Sequence, residues 1–179
     1  PLIRLLSVAM PIPGAAPISV YALVGAPALI GAILVARAIG ASRQDLGLGR
    51  PARPVEVVLS TLIGVPLGLL ARGVVGLAPI SVEGVHPILF VAVAVPFVVL
   101  LEELVFRGLL QRVATSRSRL IGIVAPSVLY AAMYFGSGSA SVVLFMGITG
   151  IIFGVMVSRQ HSLWGVLGAH MILRVLVQI

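Results

Sequence analysis

The sequence predicts an all-α integral membrane protein, a bundle of about six transmembrane helices. Three observations carry that prediction. Of 179 residues, 60% are hydrophobic and only 9% are charged, against roughly 25% charged in an average soluble domain. So few charged side chains cannot make a water-facing surface for a chain this long. Apolar windows of about 20 residues, the helix length that crosses a bilayer, recur along the chain. Arginines collect in alternate connections between those windows, as the positive-inside rule requires of a polytopic protein.

The predicted spans run Ala15 to Ile39, Val55 to Leu77, Pro87 to Val113, Leu120 to Phe135, Val142 to Val157 and Leu163 to Ile179. Ahead of them, Pro1 to Met10 reads as the end of an earlier helix or as an interfacial stretch. Residues 1–179 are read as one polytopic membrane domain, with room for further N-terminal residues before Pro1. The first span leads into the only long polar connection, ASRQDLGLGRPARP from Ala41 to Pro54. Its Gly, Pro and Arg content reads as a linker entering the second span along the membrane interface. The second span carries Gly64 and Gly68, and the fifth Gly150 and Gly154. Small residues four apart let transmembrane helices approach closely, so both pairs read as packing inside the bundle. Gly136-Ser137-Gly138-Ser139 reads as a turn between the fourth and fifth spans.

Setting aside Arg107, eight arginines (Arg37, Arg43, Arg50, Arg53, Arg112, Arg117, Arg119 and Arg159) fall in or beside alternate connections, while Arg4, Arg72 and Arg174 lie towards the other side. This places the arginine-rich loops in the cytoplasm and both ends of the chain outside. The expected location is the inner (cytoplasmic) membrane of a prokaryote, and the first partner is the lipid bilayer. The formal charge of +7 does not indicate nucleic acid, because the arginines are scattered between apolar spans without a basic face or interleaved aromatics. With no cysteine in the chain, disulfides, thiolate metal sites and cysteine nucleophiles are excluded.

Chemistry is concentrated at Glu102-Glu103-Leu104-Val105-Phe106-Arg107, inside a run that is otherwise apolar from Pro87 to Leu110. Each ionised group at membrane depth costs roughly 2.5–3.5 kcal/mol even on lenient insertion scales, so such groups are paired or used. On a helix Glu103 and Arg107 share a face and brace one another, while Glu102 projects about 100° away, towards the bundle interior. Of the histidines, His86 falls at an outer edge, His161 in a cytoplasmic turn and His170 in the last span. Only His170 is placed to meet Glu102.

Glu102-Glu103-x-x-x-Arg107, followed by Gly108-Leu109-Leu110-Gln111, resembles the first signature of the CAAX-prenyl-protease and bacteriocin-processing (CPBP, or Abi) family of intramembrane proteases. Asp45-Leu46-Gly47-Leu48, the Ser162-Leu163-Trp164 start of the last span, and His170 agree with it, so the resemblance covers Arg43 to the C-terminus. It implies that Glu102 is the base that activates water and that His170 polarises the scissile carbonyl. It also implies an F-x-x-x-H motif on the next helix and an Asn four residues after the second histidine. Here Tyr130 takes the aromatic position and Tyr134 the histidine position, and Arg174 stands in place of Asn. Tyrosine titrates near 10 and does not share a proton at neutral pH as imidazole does. Arginine donates hydrogen bonds but accepts none.

Glu102, Glu103, Arg107 and Arg174 sum to zero charge, so Arg174 is expected to neutralise Glu102 within a helix-bracing ionic network. The expected function is a CPBP-like protein with an altered active site, a non-catalytic structural or accessory subunit of a membrane complex. The alternative is an active glutamate-dependent endopeptidase that uses Glu102, His170 and the Tyr134 hydroxyl on prenylated or membrane-associated peptides. Its partner would be a peptide; the accessory reading calls for other membrane subunits. A channel or transporter is disfavoured by the lack of repeats or paired broken helices. No cofactor is expected. A metal is left open: Glu102, Glu103 and His170 are three donors, without H-E-x-x-H spacing.

Overall fold

The computed structural model describes residues 17–50, 53–77 and 90–178. Arg4, His86, the stretch Pro1 to Met10 and the outer ends of the first and third predicted spans lie outside them. Among the described residues all regular structure is helical. Helix α1 is Pro17–Ala38, α2 is Pro54–Leu62 and α3 is Gly64–Gly73. A continuous helix, α4, covers 90–115; α5 is Arg119–Ala132, α6 is Ala140–Gln160 and α7 is Trp164–Gln178. Over its described residues each predicted span is mainly helical, with Val74 to Leu77 of the second span beyond the helix end. By length and apolarity, Pro54–Gly73, Arg119–Ser137 and Ala140–Gln160 qualify as membrane spans, with Leu23–Ala38 and Trp164–Gln178 as shorter apolar helices. At about 1.5 Å per residue, α4 also has the reach to cross a bilayer core.

Two departures from regular α-helix have local causes or consequences. The break between α2 and α3 falls at Ile63, three residues before Pro66, which has no N–H to offer the carbonyl of Leu62. The Ile63 N–H bonds instead to the Ser60 carbonyl, at 3.2 Å. Within α4, Phe90–Ala94 and Leu104–Leu110 are π-helical, while Val95–Glu103 and Gln111–Thr115 are α-helical. The second π segment closes with the Gln111 N–H on the Phe106 carbonyl, five residues back. π-turns of this kind are rare and concentrate at functional sites.

Glycine sets how closely the helices pack. A Cβ on Gly64 would lie 2.2 Å from the Ala169 carbonyl oxygen, and one on Gly68 would lie 2.8 Å from Leu176 Cβ. From the α7 side, a Cβ on Gly165 would lie 2.6 Å from Ser60 Cβ, and one on Gly168 would lie 2.3 Å from Thr61 Oγ1. The Gly64 and Gly68 pair therefore packs inside the bundle, answered by a second glycine pair on the opposing helix. Gly150 and Gly154 do the same against Ser127 and Ile123 of α5. Leu67, Ala71, Phe153, Val166, Ala169 and Leu173 fill the core behind these crossings. Outside, large apolar side chains such as Leu59, Leu69, Leu120, Val128 and Leu144 are exposed, the surface a lipid-facing bundle presents.

The turn at Gly136 to Ser139 forms as expected: Phe135–Ser137 is a 3₁₀ turn, Gly138 takes a left-handed φ of 69°, and the Ser139 hydroxyl caps α6. The linker after α1 takes a compact course before α2. It folds back over the ends of α4 and α7. Ser42 and Asp45 cap one another: Asp45 Oδ2 accepts from the Ser42 N–H at 2.9 Å and hydroxyl at 2.7 Å, and the Asp45 N–H donates to Ser42 Oγ. This is the reciprocal geometry of a capping box. It turns Leu46 and Gly47 inward, where the Gly47 carbonyl accepts the Leu163 N–H at 2.8 Å and the Gly49 carbonyl accepts the Trp164 indole N–H at 2.9 Å. The left-handed φ of 73° at Gly47, with Leu163 N only 3.0 Å from where a Cβ would sit, requires glycine there. Arg112 of α4 completes the clasp, 3.4 Å from Asp45. The hydrogen bonds from Ser42, helped by Arg112, hold the Asp45 carboxyl below the usual carboxylate range.

Candidate functional site

The six expected site residues meet where α4, α5, α6 and α7 converge. Glu102 and Glu103 end the α-helical part of α4 and Arg107 lies in the π segment that follows. All three are buried, as are Tyr134, in the turn just after α5, and His170 and Arg174 of α7. Four successive residues, Leu101 to Leu104, are fully or almost fully enclosed. This helix has neighbours on every side at that level, so both glutamates are interior despite pointing in different directions.

The brace between Glu103 and Arg107 forms as expected, with Arg107 Nε 3.4 Å from Glu103 Oε2. His170 also meets Glu102, at the outer limit of an ion pair. The short bond from His170 goes to Glu103, whose Oε1 is 2.6 Å from Nδ1, while Glu102 Oε2 stands 3.8 Å from Nε2. Arg174 is the physical reason. One turn beyond His170 on the same face of α7, its Nη2 donates to Glu102 Oε2 at 3.0 Å and its Nε donates to His170 Nε2 at 3.2 Å. A guanidinium only donates. Nε2 therefore accepts, and Nδ1 carries the hydrogen shared with Glu103, a tautomer assigned from its partners.

Arg174 also fixes Tyr134, whose hydroxyl accepts from Nη2 at 2.9 Å. The Tyr134 hydroxyl lies 3.2 Å from that of Tyr130, which in turn lies 3.4 Å from His170 Nε2. On the other flank, the Arg107 guanidinium carbon sits 4.6 Å from the Tyr130 ring centre, 5.7 Å from Phe153 and 5.8 Å from Phe106. Aromatic faces stabilise a desolvated cation electrostatically, so three rings and Glu103 together accommodate this buried charge.

The composition of the apolar spans did not mark Phe153 or the glycine carbonyls as part of this site. Arg107 Nη2 reaches the Gly150 carbonyl at a long 3.5 Å, and Gln111 Nε2 reaches the Gly154 carbonyl at 2.8 Å. The spacing was a usable signal: Arg107 and Gln111 are four apart on α4, and Gly150 and Gly154 are four apart on α6. The two glycines thus serve twice, admitting α5 and leaving their carbonyls open to α4. Among the described residues, Glu103 Oε2 and Thr149 Oγ1 are buried with no hydrogen bond, and no three acids or histidines are arranged to hold a metal ion.

The arrangement is a closed polar ring that links four helices and balances two carboxylates with two guanidinium groups. A family model described as type II CAAX prenyl endopeptidase, Rce1-like, matches residues 84–176, just over half of the chain. The chain belongs to this family. The CPBP resemblance read from Glu102, Glu103 and Arg107 agrees with that assignment. The Rce1-like segment holds every member of the buried ring, whereas α1, the folded-back linker, α2 and α3 lie before it. No curated protein and no solved structure is similar enough to the chain to match.

Proposed function

We propose that this Rce1-like protein is a non-catalytic member of its family, a structural or accessory subunit of a membrane protein complex. The observation that carries the reading is Arg174 Nη2 at 3.0 Å from Glu102 and 2.9 Å from the Tyr134 hydroxyl. A general base needs a lone pair directed at the water it deprotonates and a protonation state near balance at working pH. Here the guanidinium takes the carboxylate that the family resemblance makes the base, and a tyrosine stands where it puts the assisting histidine. What remains is a buried, charge-neutral network suited to fixing helix positions. The reading includes an inner (cytoplasmic) membrane location with the arginine-rich loops on the cytoplasmic side.

A second reading, a divergent endopeptidase, is favoured by the 2.6 Å bond from His170 to Glu103, which orients an imidazole beside two carboxylates. Cleavage of a prenylated peptide by the protein reconstituted in liposomes separates the two. The scaffold reading expects no cleavage by wild type and none by Glu102→Ala. Turnover by wild type that Glu102→Ala abolishes would overturn it.

A further inference from the structure

One end of the bundle gathers charge that the buried ring does not use. The end of α1, the linker, the starts of α2, α5 and α7, and the ends of α4 and α6 all meet there. Contacts tie them together: Asp45 with Arg112, Gly47 with Leu163, Arg119 Nε with Ser158 Oγ at 2.9 Å, and Gln160 Nε2 with the Glu56 carbonyl at 3.4 Å. Eight arginines stand at this end against two acids, Asp45 and Glu56. The acids pair with Arg112 and Arg53. Arg37, Arg43, Arg50, Arg117 and Arg159 are exposed and have no ion pair among the described residues. Among the described residues, the opposite end offers the uncharged Gly136 to Ser139 turn and Arg72.

We propose that this end binds the anionic phospholipids of one leaflet in preference to zwitterionic ones. The unpaired arginines sit at the ends of apolar helices, which is headgroup depth for a bundle that spans a bilayer. They are spread over elements from α1 to α6 as a rim, rather than collected on a projecting surface that a soluble acidic partner would grip. Exposed Trp164, held by the Gly49 carbonyl, lies on the same end as an aromatic interface anchor. Phosphate carries the charge the guanidinium groups lack, and pairing with it is bidentate and charge-assisted. This inference does not depend on whether Glu102 is catalytic.

Trp164 is the only tryptophan, so its fluorescence reports this end alone. The protein is reconstituted with brominated phosphatidylcholine or brominated phosphatidylglycerol, and the relative affinity is read from quenching. At low salt, phosphatidylglycerol should be preferred by roughly fivefold, the effect of one arginine at an anionic surface. The preference should shrink at high salt, where screening is short-ranged. Combined Arg43→Gln, Arg50→Gln and Arg159→Gln should bring it to parity while quenching by brominated phosphatidylcholine stays at the wild-type level, which shows that the variant is folded. Arg72→Gln should change nothing. Equal quenching by both lipids in wild type, or a preference that survives the triple variant, would overturn the proposal. So would loss of the preference to inorganic phosphate or to poly-glutamate at constant ionic strength, which would assign the rim to soluble anions or to an acidic protein.

Discussion

Arg174 Nη2 lies 3.0 Å from the Glu102 carboxylate, joining helices whose contact residues are 72 positions apart in the chain. Both groups are buried, so the pair is better regarded as specifying the helix arrangement than as adding net stability, because desolvation offsets most of the attraction.

Removing one partner of such a pair is costly, since the other charge keeps its desolvation penalty. Arg174→Asn should destabilise the protein by about 3 kcal/mol, read as a lowered unfolding midpoint in detergent. The amide is too short to reach both Glu102 and Tyr134. If Arg174→Asn is as stable as wild type and gains peptidase activity, the ion pair is not structural.

The α7 crossing with α2 and α3 leaves no room for side-chain growth. Gly64→Val should lower stability by about 3 kcal/mol, the upper range for overpacking, because its Cβ would lie 2.2 Å from the Ala169 carbonyl oxygen. Gly73→Ala is the control. Nothing lies within 4 Å of a Cβ there, so its thermal midpoint should equal or exceed that of wild type.

His161 ends α6 with a left-handed φ of 51° while its N–H bonds to the Val157 carbonyl. That conformation costs a non-glycine residue about 1 kcal/mol. His161→Gly should raise stability by roughly that amount and His161→Val should lower it, both measurable by thermal denaturation.

The linker clasp should be acid-sensitive. Asp45 has a folded-state pKa below its ordinary 3.8, so its contribution is fully present above the ordinary value and lost as pH falls through the lowered one. Trp164 fluorescence should therefore be constant from neutral pH down to about 5 and change only below the ordinary carboxylate pKa. Asp45→Asn should show the low-pH signal already at neutral pH. A wild-type transition centred near 6.5 would instead point to a histidine.

Much of this was legible in the sequence because the bilayer makes two features conspicuous: the length of apolar runs, and any charge within them. The first gave the helix layout, and the second singled out Glu102, Glu103 and Arg107, while Arg174 emerged from the family resemblance, where it stands in place of Asn. That the shorter bond of His170 goes to Glu103 rather than Glu102 was not legible, because it depends on the rotational setting of α4. Leu104–Leu110 adopts π geometry, and its apolar composition does not distinguish that from an ordinary helix. Phe153 and the carbonyls of Gly150 and Gly154 were hidden for a related reason, as one apolar face of α6 looks like another until its neighbours are known. The fold-back of the linker depends on the Gly47 carbonyl meeting the Leu163 N–H, a contact between distant segments. Its local half, the Ser42-x-x-Asp45 spacing, is a capping signal that the composition of the linker did not bring out.

The π segment also bears on the phase of α4. A π-turn accommodates a residue that an α-helix of the same course would not hold. If the same residues, Leu104 to Leu110, tightened into α-helix, the hydrogen-bond geometry would improve locally. The two halves of α4 would then be out of phase by about 100°. Glu102 and Glu103 could keep Arg174 and His170, or Gln111 could keep the Gly154 carbonyl, but one helix could no longer serve both. The irregular turn acts as a spacer that keeps two sets of bonds in step by holding one residue more than an α-helix would.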